Sequence, residues 1–283
     1  MSLVFDHVSY SYEKDGDFAV KDVSFSLEDG KLLGIIGHTG SGKSTMTKMM
    51  NALIPPATGR ILVDGEDINA SKEAKRQVKS KVALVFQYPD YQFFSSTVFD
   101  DIAFGPRNMG VPEDEMMRRI KKAMHKVGFD FDDISQRSPF ELSGGQKRRL
   151  AIAEALVMKP KIMVLDEPMA GLDPRGRAAL AKLLRSLRDD GVTLILVSHN
   201  MEDIAELSDE ILVMKDGSIC MQGTPREIFI HAEELREINL GIPIETRFAN
   251  WLSEAGMPMP ECVIGIDELV DAIATAFKER AHE

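Results

Sequence analysis

The chain has 283 residues, 44% hydrophobic and 28% charged, which is enough apolar material for one large domain or a domain with a small appendage. A formal net charge of -11, with no basic face or stripe in sight, argues against nucleic acid as a partner. The two cysteines, Cys220 and Cys262, lack the spacing of a disulfide framework or zinc site, Met1–Tyr10 does not read as a secretory signal, and no run approaches the ~18 apolar residues of a membrane span, so any membrane role passes through a partner.

Leu3–Tyr12 and Ala19–Leu27 read as short strands, with a turn over Glu13–Asp17 between them. Leu32–Ile36 is a compact apolar run of the kind a buried strand makes, and a helix is expected over Ser44–Leu53, closed by Pro55 and Pro56. Between them stands Gly37-His38-Thr39-Gly40-Ser41-Gly42-Lys43-Ser44, which fits G-x-x-x-x-G-K-[ST] in the required strand-then-helix setting. The glycines let backbone N–H groups converge on phosphate oxygens, and the helix start adds a positive dipole end. Lys43 can reach the outer phosphates and the Ser44 hydroxyl can bind Mg2+; His38 holds a free position of the motif.

Arg60–Asp64 and Val82–Gln87 read as further strands, and Tyr88, Tyr91, Phe93, Phe94 and Phe99 form an aromatic stretch after them. Pro112–Val127 reads as a helix with Met116, Ile120, Met124 and Val127 on one side. Ser143–Met158 is another, opened by Leu142-Ser143-Gly144-Gly145-Gln146. Ser143 has the type and place of an N-cap, and Gly144 and Gly145 permit close backbone approach, so this is a second anion-binding helix start.

Lys161–Asp166 is an apolar strand, followed by Glu167. Two acids at a strand's carboxyl end lie where ligands of open α/β sheets bind. Asp166 is therefore expected to hold Mg2+ and Glu167 to face an attacking water. Pro174–Arg188 reads as a helix, Val192–Ser198 as a strand, and Ile211–Lys215 with Ser218–Gln222 as a hairpin around Asp216-Gly217. Strands alternating with helices predict an α/β domain with a largely parallel sheet. Beyond Glu227 the chain grows more acidic; Asn239–Pro243 reads as a linker, and Glu245–Ala255 and Ile266–Phe277 as two helices too short to fold alone.

The motifs in their order resemble those of the ATP-binding cassette (ABC) ATPases: the phosphate loop, Gln87 at a strand end, Leu142–Gln146, Asp166-Glu167, Gly171-Leu172-Asp173, and His199 after Leu194–Ser198. The resemblance covers about Leu3 to Phe229. It implies an α/β P-loop NTPase fold, with a mostly parallel core sheet, an antiparallel β subdomain and a helical subdomain at about 88–157. The ATPase domain would span 1–230, and 231–283 would be a short helical C-terminal extension. The cofactors implied are ATP and Mg2+. Gly37, His38, Thr39, Gly40, Ser41, Gly42, Lys43, Ser44 and Thr45 would cradle the phosphates, and Tyr12 would stack on adenine. Ser44, Gln87 and Asp166 would surround the metal; Glu167, His199 and Gln87 would serve catalysis. Ser143, Gly144, Gly145 and Gln146 would cover ATP held by another subunit, and Asp173 would help join the two.

Within that group, Val85–Gly110, Ala155–Pro160, and the tail with Leu240-Gly241-Ile242-Pro243 and Ile266–Val270 resemble the ATPases of energy-coupling factor (ECF) transporters and their cobalt and nickel relatives. The His-Thr-Gly-Ser of the phosphate loop and Phe104-Gly105-Pro106 lean toward the second of the two paired ATPases. This resemblance implies an importer of a vitamin or transition-metal ion. It implies a second ABC ATPase as partner (a heterodimer favoured over a homodimer), a transmembrane coupling protein, a substrate-binding membrane subunit and no nucleic acid. The chain would sit peripherally on the cytoplasmic face of the cell membrane. Some of the aromatics after Gln87, with Phe93 and Phe94 as candidates, would form a groove for a helix of the coupling protein. A rival reading is a soluble ABC ATPase of a non-transport assembly, an iron–sulfur scaffold or a nucleic-acid-associated protein. The single cassette and the short interval between Lys43 and Ser143 weigh against the nucleic-acid-associated form, and the aromatic segment after Gln87 and the acidic tail against the scaffold.

Overall fold

The computed structural model describes residues 2–13 and 16–280, so the turn expected over Glu13–Asp17 lies partly outside the described residues. In chain order the elements are β1 (Leu3–Tyr10), β2 (Val20–Leu27), β3 (Leu32–Gly37), α1 (Lys43–Met50), β4 (Thr58–Val63), β5 (Glu66–Asp67), α2 (Lys72–Lys81) and β6 (Val82–Val85). Then come α3 (Val98–Asn108), α4 (Glu113–Lys126), α5 (Phe131–Ile134), α6 (Gly144–Val157), β7 (Ile162–Asp166), α7 (Pro174–Asp189), β8 (Thr193–Val197) and α8 (Met201–Leu207). The chain ends with β9 (Glu210–Lys215), β10 (Ser218–Gly223), α9 (Pro225–Phe229), α10 (Ala232–Glu237), α11 (Ile244–Glu254) and α12 (Ile266–Arg280).

Two sheets result. The larger runs β10-β9-β3-β8-β7-β6, and every pairing in it except β10 with β9 is parallel. The smaller, antiparallel throughout, runs β2-β1-β4-β5. Three of the larger sheet's four interior strands carry its core: β3 and β8 are buried along their whole length and β7 up to its final residue, so they are apolar on both faces. Strand alternation then divides the core in two. Leu32, Ile36, Met163, Leu165, Leu194 and Leu196 face one layer, with α3, α4, α6 and α7. Leu33, Ile35, Ile162, Val164, Ile195 and Val197 face the other, with α1 and the antiparallel sheet.

Several boundaries differ from the sequence reading. The helix expected over Ser44–Leu53 begins at Lys43 and ends at Met50. The strand expected over Val82–Gln87 stops at Val85, so Gln87 stands beyond the sheet. Helix α3 was hidden by aromatic residues and Pro106. It starts because the Thr97 hydroxyl accepts from the Asp100 N–H, with two acids in the first turn. Helix α2 is polar except for Ala74 and Val78, of which Val78 is buried, and is capped by Ser71, so it carries almost no apolar stripe. The Asn239–Pro243 segment is no free linker: Leu240 joins the main core with Leu235 and Ile238, and Ile242 packs on it. The tail is further tied by Thr246, whose buried hydroxyl donates to the Val263 carbonyl at 2.7 Å, and by the two-pronged Arg226–Glu268 pair.

Candidate nucleotide site

The phosphate loop leaves the centre of the larger sheet at Gly37 and enters α1 at Lys43. Two glycines are required by contact. A Cβ on Gly37 would meet the Met214 carbonyl and Ser41 hydroxyl oxygens at 2.5 Å, and one on Gly42 (φ 102°) would run into the Ala19 carbonyl oxygen. The Lys43 ammonium folds over the loop, donating to the carbonyls of Gly37 at 2.6 Å and His38 at 2.9 Å. Burial pulls the Lys43 pKa down, against the opposing pull of Glu167 and Asp166. Ser41 is wholly buried, and the His38 ring lies 3.5 Å from Asp216 in the β9–β10 turn.

A cavity of about 480 Å³ joins this loop to Tyr12, Gln87, Asp166, Glu167 and His199. The fold thus brings together residues that the sequence spreads from Tyr12 to His199. Asp166 ends β7 beside β3's neighbour β8, and its carboxylate takes a hydrogen bond from Ser44. Burial raises the Asp166 pKa and the adjacent Glu167 adds to this, while Lys43 and Ser44 oppose it. A divalent cation would relieve that cost. The hydroxyl, carboxylate and amide of Ser44, Asp166 and Gln87 are hard oxygen donors of the kind Mg2+ takes, with phosphates completing the shell. These residues therefore fit Mg2+.

Glu167 is held at φ 48°, left-handed backbone that a non-glycine residue adopts at some cost. Its N–H donates to the Val197 carbonyl at 2.9 Å, its side chain is nearly buried, and His199 Nδ1 lies 2.9 Å from Oε1. Ser198 donates more weakly to Oε2 at 3.5 Å. The carboxylate therefore points into the cavity between the phosphate loop and β8. Tyr12 is exposed, packs edge-on against Tyr10, and its hydroxyl lies 3.1 Å from that of Thr45.

Ser143–Gln146 lies elsewhere. Ser143 caps α6 as expected, in a reciprocal box: its hydroxyl accepts from Gln146 N–H, and Gln146 Oε1 accepts from Ser143 N–H at 2.9 Å. Together with Asp173 and Arg175 it lines a second cavity of about 680 Å³ that shares no residue with the first. Nothing stands within 4 Å of a Cβ added to Gly144, and only Leu172, at 3.6 Å, near one on Gly145. This chain's own packing does not require those glycines. Asp173 caps α7, its Oδ1 accepting from the Gly176 N–H at 2.7 Å.

Sequence reading missed Arg148. It is buried on α6 and donates at 3.5 Å to the carbonyls of Phe86, next to Gln87, and Ala170, next to Gly171. Burial lowers its pKa while Glu167 and Asp166 raise it. The signal was present: Arg148 falls on the buried stripe of Ala151, Ile152 and Ala155. Phe93, expected among the docking aromatics, is instead core, 5% exposed, because its ring turns into the packing of α3 and α6. Phe99 also packs on that core. Tyr88, Tyr91 and Phe94 are exposed, and Phe104 joins them.

A phosphate loop on the middle strand of a parallel sheet, two acids on the next strand but one, and a capped Ser-Gly-Gly-Gln helix start define an ATPase of the ATP-binding cassette class. Residues 20–170 match the family described as ABC transporter. The chain is 47% identical over 277 residues to the energy-coupling factor transporter ATP-binding protein EcfA2 of Caldanaerobacter subterraneus, covering 96% of each. It is 48% identical to the EcfA2 of Symbiobacterium thermophilum, again over 96% of each. Among solved structures, cbiO1 of Clostridium perfringens, described as part of the ABC transporter complex cbiONQ, is 37% identical with a TM-score of 0.74, covering 84% of this chain and 94% of its own. The dimeric ATP-binding cassette MJ0796 bound to ADP and Pi is 25% identical with a TM-score of 0.71, covering 79% of this chain and 99% of its own. The chain belongs to the ATP-binding proteins of energy-coupling factor transporters, enzymes that couple ATP hydrolysis to transport. Among the described residues no helix is long and apolar enough to cross a membrane.

Proposed function

We propose that this chain hydrolyses Mg-ATP in a dimer of cassettes, each covering with its Ser143–Gln146 the nucleotide held by the other's Gly37–Thr45. One observation carries this reading: within a single chain the two anion-binding helix starts line separate cavities. The glycines of the second serve no contact of their own chain, which supports a surface kept open for an approaching phosphate. Asp173 and its neighbours in that cavity are then at the subunit junction.

Lys43 and the loop N–H groups hold the phosphates, and Tyr12 faces the adenine. Ser44, Asp166 and Gln87 would hold Mg2+, which neutralises charge on the phosphate oxygens. Glu167 orients a water and takes its proton as the oxygen–phosphorus bond forms and the bond to the departing ADP oxygen breaks. His199, already paired with Glu167, stands where it can turn to the γ-phosphate. Residues 1–230 are the ATPase domain, with the helical subdomain at about 88–157, and 231–283 the extension.

The partners of this reading are a second ATPase, with a heterodimer favoured, a membrane coupling protein and a substrate-binding membrane subunit that selects a vitamin or metal ion. The exposed Tyr88, Tyr91, Phe94 and Phe104 support a docking face for the coupling protein, which makes the chain a peripheral subunit on the cytoplasmic side. Pull-down from solubilised membranes, with ATPase assayed on the eluate, tests the assembly: a second cassette ATPase and a polytopic membrane protein are expected. Glu167→Gln should bind ATP, hydrolyse it at least ~100-fold more slowly and accumulate as a closed dimer. Normal turnover in that variant would sink the role given to Glu167.

A further inference from the structure

On the side of the molecule built from α4, the α6–β7 turn and the α7–β8 turn lies a third cavity, of about 470 Å³. It shares no residue with the nucleotide cavity and only Lys126 with the signature cavity. Its floor is apolar, with Leu156, Leu187 and Val192, and its walls carry Arg118, Arg119, Lys122, Lys126 and Lys159 against two carboxylates, Glu115 and Asp190. In a chain of net charge -11 this local excess of cations is the reverse of the whole.

The pairing inside the cavity is lopsided. One carboxylate, Glu115, serves three cations: Arg118 at 2.6 Å, Arg119 at 2.7 Å and Lys159 at 2.8 Å. Lys159 and then Arg119 hold the Glu115 pKa down to about 2. Asp190 pairs with Lys126, and Lys122 reaches it only at longer range. Glu115 and Arg119 alone would be an ordinary pair on an exposed helix face. Lys159 is not on that helix. It occupies the second position past α6, directly after the Met158 cap, with φ 54°, where glycine or asparagine is favoured, and its ammonium reaches Glu115 from there.

We propose that this cavity binds a small soluble polyphosphorylated anion at a site distinct from the phosphate loop. Such a ligand would match the surplus of guanidinium and ammonium donors, whose fork geometry suits phosphate oxygens, and the concavity is of small-molecule size. Its walls come from α4, from the end of α6 with the turn that follows it, and from the end of α7 with the turn into β8, so the ligand would tie together three helices that are separate in sequence.

Tripolyphosphate is the probe, titrated calorimetrically into the full chain carrying Lys43→Ala, which weakens the phosphate loop's own hold on phosphates. Binding that falls with added salt is expected. Adding Arg118→Ala and Lys122→Ala, at exposed side chains, should weaken it about tenfold or more while leaving the melting temperature unchanged. Lys122→Ala alone should give a smaller loss in the same direction. Absence of binding in the Lys43→Ala chain, or equal affinity with and without the cavity substitutions, would overturn the proposal. Vesicles carrying phosphatidate form a second arm: binding to them through Arg118 and Lys122, with none to tripolyphosphate, would assign these cations to a lipid surface and also overturn it.

Discussion

Phe93→Ala is expected to cost about 3–5 kcal/mol of folding stability, and Phe94→Ala about 0.5–1.5 kcal/mol, although the two residues are adjacent. Phe93 is 5% exposed and lies in the main core with Val98 and Ile102 of α3 and Leu150 of α6, so alanine leaves a cavity there. Phe94 is 61% exposed; its principal ring contact is an edge-on pair with Phe104, centroids 4.7 Å apart. At about 2–4 °C per kcal/mol for a chain of this size, the melting temperature should fall by roughly 6–20 °C for Phe93→Ala and roughly 1–6 °C for Phe94→Ala. Thermal melts of the isolated variants, with and without ATP, measure this. ATP turnover in the reconstituted transporter then separates folding from coupling: Phe94→Ala should bind ATP normally and lose transport. A Phe94 variant that melts as low as Phe93→Ala would show that its ring is core. One that transports normally would refute the docking face.

Gly144→Ala should leave the melting temperature near the parent's, because nothing stands within 4 Å of the added Cβ, yet abolish ATP-driven dimerisation on gel filtration in the Glu167→Gln background. Unaltered dimerisation would mean that this segment does not approach a partner's nucleotide. Glu154, hydrogen-bonded to Gln92 at 2.6 Å, has its pKa pushed up to about 8, by burial first and by Asp101. The folded state therefore keeps a proton that the unfolded chain releases from about 4.5, and stability from this group falls as pH rises across about 4.5 to 8. Urea melts of Glu154→Gln over that range should show a shallower decline than the parent. Thr246→Val strips the buried N–H and carbonyl of Val263 of their partner, at about 1–3 kcal/mol for each group left unpaired. Limited proteolysis should then cut the C-terminal segment sooner than in the parent.

What the sequence determined by itself was local. The wholly apolar runs of β3, β7 and β8 announce interior parallel strands, because period and burial are written within a few residues. The phosphate loop was legible as a contiguous motif between a strand and a helix, and the Ser143 cap because its hydroxyl acts on a backbone group three positions away. Helices α2 and α3 escaped that reading, one with only Val78 buried, the other disguised by aromatics and proline, so their apolar periodicity carried little signal.

The tertiary structure decided the rest, since the sheet order places β3 between β9 and β8, neighbours that follow it only far along the chain. That order, not spacing in sequence, brings Glu167 and His199 to the phosphate loop and leaves Ser143–Gln146 on another cavity. The same packing buries Phe93 beside an exposed Phe94, buries Arg148 between the Phe86 and Ala170 carbonyls, and brings Lys159 onto Glu115 of another helix. Burial and long-range Coulomb pairing are properties of neighbours in space, and a linear pattern specifies those only through the fold that it makes.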